Sequence, residues 1–104
     1  MVKLVTLFGK PESTEAFDLH LREVHTQILK RLPNVQRFSL GRIVGSLRSE
    51  TPYYAMVEMY FEDVEKLHQA LESSDGRALS RDLLSFATGG FHMFYVEESP
   101  VTLP

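Results

Sequence analysis

Cysteine is absent from this 104-residue sequence. Without thiols the chain cannot form disulfides, thiolate metal sites or iron–sulfur clusters, and it has no cysteine nucleophile. This absence fits a reducing compartment, so we expect a cytoplasmic protein. Long hydrophobic runs are also absent. The apolar segment at the N-terminus is too short for a signal peptide or a membrane span, and we interpret it as a strand.

An excess of positive charge is missing as well. The 11 lysine and arginine residues are outnumbered by 14 acidic residues, and the formal net charge is −3. Nucleic-acid-binding proteins concentrate basic residues on one surface, and this sequence has no basic run. It also has no glycine-rich pattern of the kinds that bind nucleotides. We therefore expect no nucleic-acid partner, no membrane partner and no cofactor.

Hydrophobic residues make up 43% of the chain, which is enough for one core. We predict a single domain over residues 1–104. Apolar periodicity, caps and turn residues predict strands over 2–8, 35–44, 53–61 and 91–97, and helices over 14–32, 64–72 and 79–86. This order is typical of a ferredoxin-like βαββαβ sandwich, an α+β fold with a four-stranded antiparallel sheet and helices on one face.

The third predicted strand is apolar on both sides. Alternation divides it into Tyr53, Ala55, Val57, Met59 and Phe61 on one face and Tyr54, Met56, Glu58 and Tyr60 on the other. A sheet with helices on one side only would leave the second face exposed in a monomer. We therefore predict a homodimer that forms through this sheet face.

The first helix carries the most informative polar residues. Its predicted apolar stripe consists of Phe17, Leu21, Val24, Ile28 and Leu32. His25 borders this stripe, whereas His20 lies farther round, toward solvent. Residues five apart in an α-helix are separated by about 140°, so we do not expect His20 and His25 to share a metal ion. We predict no metal site.

His25 and two carboxylates, Asp82 and Glu58, each have a functional and a structural interpretation. His25 is either a general acid or base in a pocket between helix and sheet or a core-edge histidine bonded to the backbone. Asp82 borders the apolar face of the last helix, where it either orients an imidazole or lies on the surface. Glu58 is in mid-strand, and we favour a salt bridge with Arg42 or Arg37 over a catalytic role.

Several groups of residues over nearly the whole chain match one known pattern. They are Phe17, His20 and His25 followed by Leu32-Pro33, then residues 57–63, 74–76 and 82–86. These residues resemble the EthD family, which belongs to the dimeric α+β barrel superfamily. The resemblance implies the ferredoxin-like protomer and the face-to-face dimer that the alternation also predicts.

The resemblance also assigns positions. His25 matches the family's histidine in the first helix, Glu58 its strand acid and Asp82 its late aspartate. One departure is Pro33-Asn34, where the family has Pro-Gly. Asparagine is the next-best residue for a left-handed turn, so we expect the same local geometry.

The functions that the resemblance implies are diverse. The family is named for a protein needed alongside an ether-degrading monooxygenase, and members are labelled reductases. Relatives in the superfamily include cofactor-free isomerases, polyketide cyclases, heme-degrading enzymes and accessory proteins. We predict a cofactor-independent enzyme for a hydrophobic aromatic, lactone or polyketide-like compound, in catabolism or natural-product biosynthesis. The alternatives are an accessory protein that binds a small molecule, and an EthD-type reductase.

Residue roles follow from both lines of reasoning. His25 would move a proton, and Asp82 or a nearby tyrosine would orient the imidazole. The predicted ligand-binding residues are Phe17, Glu58, Tyr60 and Phe86.

Overall fold

A four-stranded antiparallel sheet forms one layer of the structure, a computed structural model that describes residues 1–101. Its strands are β1 (Val2–Gly9), β2 (Arg37–Arg42), β3 (Tyr53–Phe61) and β4 (Phe91–Glu97), arranged in the order β2-β3-β1-β4. The predicted element order and sheet are confirmed. The last three residues of the predicted domain, 102–104, lie outside the described residues.

The helical layer covers one face of this sheet. It consists of α1 (Thr14–His20), α2 (Thr26–Arg31), α3 (Val64–Glu72) and α4 (Ser74–Phe86), and a π-helical turn, Leu21–His25, joins α1 to α2. The buried core between helices and sheet includes Phe8, Leu29, Val57, Met59, Phe61, Leu67, Leu79 and Leu83. Among the described residues, no helix combines the length and the apolar character that a membrane crossing requires.

The residues at two helix ends adopt the conformations and hydrogen bonds that their side chains predict. Asp63 caps α3 as its pattern predicts, with its side chain accepting from the Lys66 backbone N–H at 2.8 Å. Asn34 has φ of 68°, so the asparagine adopts the left-handed conformation expected of it.

The predicted bounds of β2 and α4 were wrong. Strand β2 is shorter than predicted, because residues 35–36 and 43–44 lie outside its regular ladder. Helix α4 is longer: it begins at Ser74, with Ser73 as its cap. Gly76 permits α4 to begin so close to the end of α3, since a Cβ at this position would lie 2.3 Å from the Ala70 carbonyl oxygen.

A register shift changes the faces of the first residues of β3. Phe8 pairs with Ala55, but Gly9 pairs with Tyr53, so one extra residue is accommodated at this point. Tyr54 consequently reaches the helical layer, and its hydroxyl donates to Asp18 of α1 at 2.9 Å. The predicted assignment of Tyr53 and Tyr54 to the two faces is therefore reversed.

The other face of the sheet, which we call the outer face, is not covered by the helices. Register places Leu7, Met56, Phe94 and Val96 on it, together with the more buried Val5 and Tyr60. Lys3 is its central charge, with Nζ 2.9 Å from a Glu58 carboxylate oxygen and 3.2 Å from one of Glu98. Hydrogen bonds to both carboxylates raise the pKa of Lys3, so the lysine stays charged.

Candidate functional site: a histidine–aspartate–histidine cluster

The π-helical turn changes which residues of the first helix face the core. The Thr26 backbone N–H donates to the Leu21 carbonyl, five residues back instead of four. The buried positions of this segment are Phe17, Leu21, His25, Thr26, Leu29 and Leu32. Val24, which the regular pattern places in the stripe, is 44% exposed, and that prediction was wrong. His25 takes its place and is 2% exposed.

Asp82 of α4 connects two histidines of the first helix. His20 Nε2 lies 2.7 Å from one carboxylate oxygen of Asp82, and His25 Nδ1 lies 2.8 Å from the other. An ionised carboxylate only accepts hydrogen bonds, so both ring nitrogens donate. This assigns the Nε2–H tautomer to His20 and the Nδ1–H tautomer to His25. We call these three side chains the His–Asp–His cluster.

The position predicted for His20 was wrong. In a regular α-helix, residues five apart point in different directions, and His20 would lie toward solvent. In the π-helical turn the repeat is i to i+5, which places His20 and His25 on the same side. The structure therefore brings together the predicted pair of His25 and Asp82 and adds a second histidine to it.

Burial keeps His25 neutral. Desolvation lowers the pKa of His25 below its ordinary value of 6.5, and the hydrogen bond that the ring donates to Asp82 only partly opposes this effect. The neighbouring His20 lowers it further when charged. Phe8 and Phe86 lie at ring-centroid distances of 6.4 and 5.0 Å from His25 and supply part of this apolar environment.

A cavity of about 290 Å³ lies beside the cluster. It is lined by Glu12, Ser13, Ala16, Phe17, His20, Phe86 and Thr88. His20 is the member of the cluster that belongs to this lining, whereas His25 and Asp82 do not. The His20 and Phe86 rings stack, with centroids 4.4 Å apart. The cavity wall is thus aromatic, with one imidazole on which a proton can be exchanged.

The predicted ligand-binding residues separate into two groups. Phe17 and Phe86 line the cavity, whereas Glu58 and Tyr60 are on the outer face of the sheet, away from it. Glu58 does form an ion pair, but its partner is Lys3 instead of Arg42 or Arg37. The Arg37 guanidinium lies over the Tyr60 ring, 3.7 Å from its centroid.

Tyr54 and Asp18 form a further contact that the sequence did not indicate. The Tyr54 hydroxyl lies 2.9 Å from both carboxylate oxygens of Asp18. Burial, followed by this carboxylate, raises the pKa of Tyr54, so the hydroxyl remains a donor. The Tyr54 ring also meets Phe17 edge-on at 5.6 Å. The pair therefore fastens α1 to the sheet beside the cavity wall.

Within residues 1–101, no group of three or more histidine or carboxylate side chains is arranged to hold a metal ion. In the His–Asp–His cluster, the inward ring nitrogens are already hydrogen-bonded to the carboxylate instead of converging on one point.

The fold agrees with what similar proteins show. The chain is a ferredoxin-like α+β protein, and residues 10–90 match the model of the EthD domain. This match covers most of the chain, and the protein therefore belongs to the EthD family, as the sequence resemblance implies.

Two relatives are similar over almost their whole length. An uncharacterized 11.0 kDa protein from the thcB–thcC intergenic region of Rhodococcus erythropolis is 31% identical over 102 residues, covering 97% of this chain and 98% of the relative. The crystal structure of an EthD family protein from Bacillus halodurans is 36% identical, with a TM-score of 0.89, and covers 95% of this chain and 99% of that one.

More distant structures share the fold alone. A hydroxynitrile lyase from Passiflora edulis has a TM-score of 0.77 at 11% identity, covering 99% of this chain and 96% of its own. A dimeric ferredoxin-like protein of unknown function from Thermobifida fusca has a TM-score of 0.70 at 11% identity, covering 91% of this chain and 88% of its own. The architecture thus occurs in dimeric proteins.

Proposed function

We propose that this protein is a cofactor-independent enzyme that transfers a proton within a neutral, hydrophobic small molecule. One observation carries the proposal: Asp82 accepts a hydrogen bond from each of two histidines, and one of them, His20, lines an aromatic cavity. A carboxylate that holds an imidazole by one nitrogen leaves the other nitrogen available for acid–base chemistry.

The three side chains have different roles in this proposal. His20 accepts a proton from the ligand at Nδ1, the ring nitrogen that does not bond Asp82, and returns it at a second position of the same molecule. Asp82 stabilises the imidazolium that forms between these steps. His25, neutral and buried, donates to the second oxygen of Asp82 and holds the carboxylate in place. His20 thus replaces His25 as the residue that contacts the ligand.

The cavity favours uncharged aromatic ligands. Phe17 and Phe86 supply flat apolar walls, and the volume of about 290 Å³ suits a compound with one or two rings. Glu12 is the carboxylate of the lining, which contains no lysine or arginine among the described residues. An acidic ligand would meet negative charge without a compensating cation, so we infer a preference for neutral compounds over carboxylates.

The remaining alternatives predict other behaviour. An accessory protein would use the same aromatic cavity for binding without a step that depends on His20. A reductase would need a redox cofactor, and a cavity at the lower end of the size range of ligand sites is small for a dinucleotide. The occurrence of a lyase on the same fold supports the enzymatic proposal by analogy only.

The proposed assembly is a homodimer that forms through the outer face of the sheet. The apolar residues Leu7, Met56, Phe94 and Val96 on this face would otherwise remain in contact with water. Similar proteins of this fold are dimeric, which supports the same arrangement here.

Deuterium incorporation tests the proposed reaction. Neutral aromatic alcohols, ketones and lactones are incubated with the protein in D2O, and NMR spectroscopy follows exchange at carbon. We expect exchange with the wild type, loss of exchange in His20→Ala, and unchanged exchange in His68→Ala, where the altered histidine is exposed and outside the cavity. Binding without exchange in all three proteins would support the accessory function.

A matched ligand pair tests the cavity itself. Benzyl alcohol and benzoate have similar rings but differ in charge. In a ¹H–¹⁵N NMR titration, we expect benzyl alcohol to shift resonances of Phe17, His20 and Phe86, and benzoate to bind about tenfold more weakly because of Glu12. Tighter binding of benzoate would contradict the inferred preference.

A further inference from the structure

We propose that Thr26 is a positioning residue, whose hydroxyl maintains the π-helical turn that brings His20 and His25 to the same carboxylate. The catalytic meaning of this inference depends on the proposed function, whereas its structural content does not. Thr26 is a polar side chain that is only 7% exposed, and it immediately follows His25.

The backbone hydrogen bonds around Thr26 explain why a hydroxyl is needed there. In an α-helix, the Thr26 N–H would donate to the Arg22 carbonyl, four residues back. In this structure it donates to the Leu21 carbonyl instead. The Arg22 carbonyl accepts a hydrogen bond from Thr26 Oγ1 at 2.5 Å. The side chain therefore replaces the backbone donor that the π-helical turn takes away.

The position of this hydrogen bond links Thr26 to the cluster. An α-helix turns by about 100° per residue, so conversion of the π-helical turn to regular α-helix, with all its residues kept, would rotate His25 relative to His20 by about that amount. His25 Nδ1 would then leave Asp82, to which it donates at 2.8 Å. A carbonyl without a partner would favour this conversion, because a backbone acceptor that loses its hydrogen bond is costly.

Two variants separate the hydroxyl from the shape of the side chain. Thr26→Val keeps the branched shape and removes the donor, whereas Thr26→Ser keeps the donor. Thr6→Val is the matched control, since Thr6 is similarly buried but lies in β1. Long-range ¹H–¹⁵N NMR spectra report the tautomers of His20 and His25, and hydrogen exchange reports the protection of the His25 Nδ1–H. Both are measured on the protein without ligand.

The expected results are specific to the hydroxyl. In Thr26→Val, the His25 Nδ1–H exchanges at least about tenfold faster and the two histidines no longer hold opposite tautomers. Thr26→Ser and Thr6→Val retain the wild-type spectra. Wild-type tautomers and protection in a folded Thr26→Val protein would overturn the inference.

A second comparison covers the case in which Thr26→Val does not fold. Thr26→Ala and Thr26→Ser differ only by the hydroxyl, so faster exchange in the alanine variant alone supports the role, and equal exchange in both overturns it. Failure of the proposed enzyme activity would leave these readouts unchanged, because no ligand or turnover enters them.

Discussion

The rings of His20 and Phe86 stack face to face, with centroids 4.4 Å apart and an angle of 22° between their planes. Asp82 accepts a hydrogen bond from Nε2 of the same imidazole. This hydrogen bond orients the ring within its own plane, and the stack on Phe86 restrains it perpendicular to that plane. Phe86 also contacts Phe17, at 5.2 Å, and His25, at 5.0 Å. One aromatic side chain therefore joins the cavity wall to both histidines of the cluster.

Replacing this aromatic ring tests its role. Phe86→Leu should destabilise the protein by about 2 kcal/mol, because several aromatic contacts are lost while the site remains apolar. The ring current of Phe86 should also disappear from the His20 proton resonances. Phe38→Leu is the control, since Phe38 packs against the same core from β2. Unchanged His20 resonances in Phe86→Leu would argue against the stack.

Asp82→Asn tests the double acceptor. An amide offers one acceptor oxygen and one donor nitrogen, so one of the two histidines would face a donor with its own N–H. We expect a loss of about 2 kcal/mol in the free energy of unfolding and a tautomer change in one histidine. Asp75→Asn on the same helix removes a surface ion pair with Arg31 and should cost less than about 1 kcal/mol. Equal losses in the free energy of unfolding in the two variants would contradict a stabilising role of the His–Asp–His cluster beyond that of a surface ion pair.

The lowered pKa of His25 predicts a pH dependence of stability. Burial favours the neutral ring in the folded state, so the unfolded chain binds the proton more readily below pH 6.5. Stability should therefore fall as the pH decreases from 6.5 toward the folded-state pKa. Asp82 and His20 face the same ring, so the slope is compared between the wild type and His25→Gln. The same slope in both proteins would show that His25 is not its source.

Much of the fold could be predicted because short sequence patterns indicate the bounds of several strands and helices. Strand β3 is a run of apolar and aromatic residues interrupted only by Glu58, and β4 follows two glycines, so both strands have the bounds that were predicted. The cap at Asp63 is a local signal of the same kind. The start of α4 was missed, because the small and polar residues after Ser73 resemble a break between helices.

The site could be predicted only in part. The resemblance indicated His25 and Asp82, but the contact between them depends on tertiary packing, since 57 residues separate them. His20 was missed because a π-helical turn adds one residue without changing composition or periodicity clearly. The one local sign was a pair of overlapping apolar patterns: Ile28 and Leu29 each continue a different phase of the helix.

Deleting one exposed residue of the turn should preserve the cluster. Without Glu23, His20 and the former His25 are four residues apart, and a regular α-helix places such residues on one face. We expect a folded protein whose midpoint of thermal unfolding stays within about 5 °C of the wild type. Deletion of the exposed Gln69 from the regular helix α3 should be far more damaging, because it rotates the following core residues away from the sheet.

The same deletion should make the Thr26 hydroxyl dispensable. In the shortened helix the Arg22 carbonyl regains a backbone partner four residues ahead, from Gln27. Thr26→Val should then destabilise the deletion variant by at least about 0.5 kcal/mol less than it destabilises the wild type. Chemical denaturation of the wild type, Thr26→Val, the Glu23 deletion and the combined variant measures this coupling. Additive effects would show that the hydroxyl acts independently of the π-helical turn.

The outer face of the sheet predicts how the protein assembles. Phe94 lies on this face and is 44% exposed, whereas Leu84 belongs to the helical layer and is 78% exposed. Phe94→Glu would bury a charge in the proposed sheet-to-sheet contact, so we expect it to weaken the dimer by about 100-fold or more in sedimentation velocity. Leu84→Glu introduces the same charge and should leave the dimer intact. Dissociation by Leu84→Glu alone would place the contact on the helices, and a monomeric wild type would contradict the homodimer.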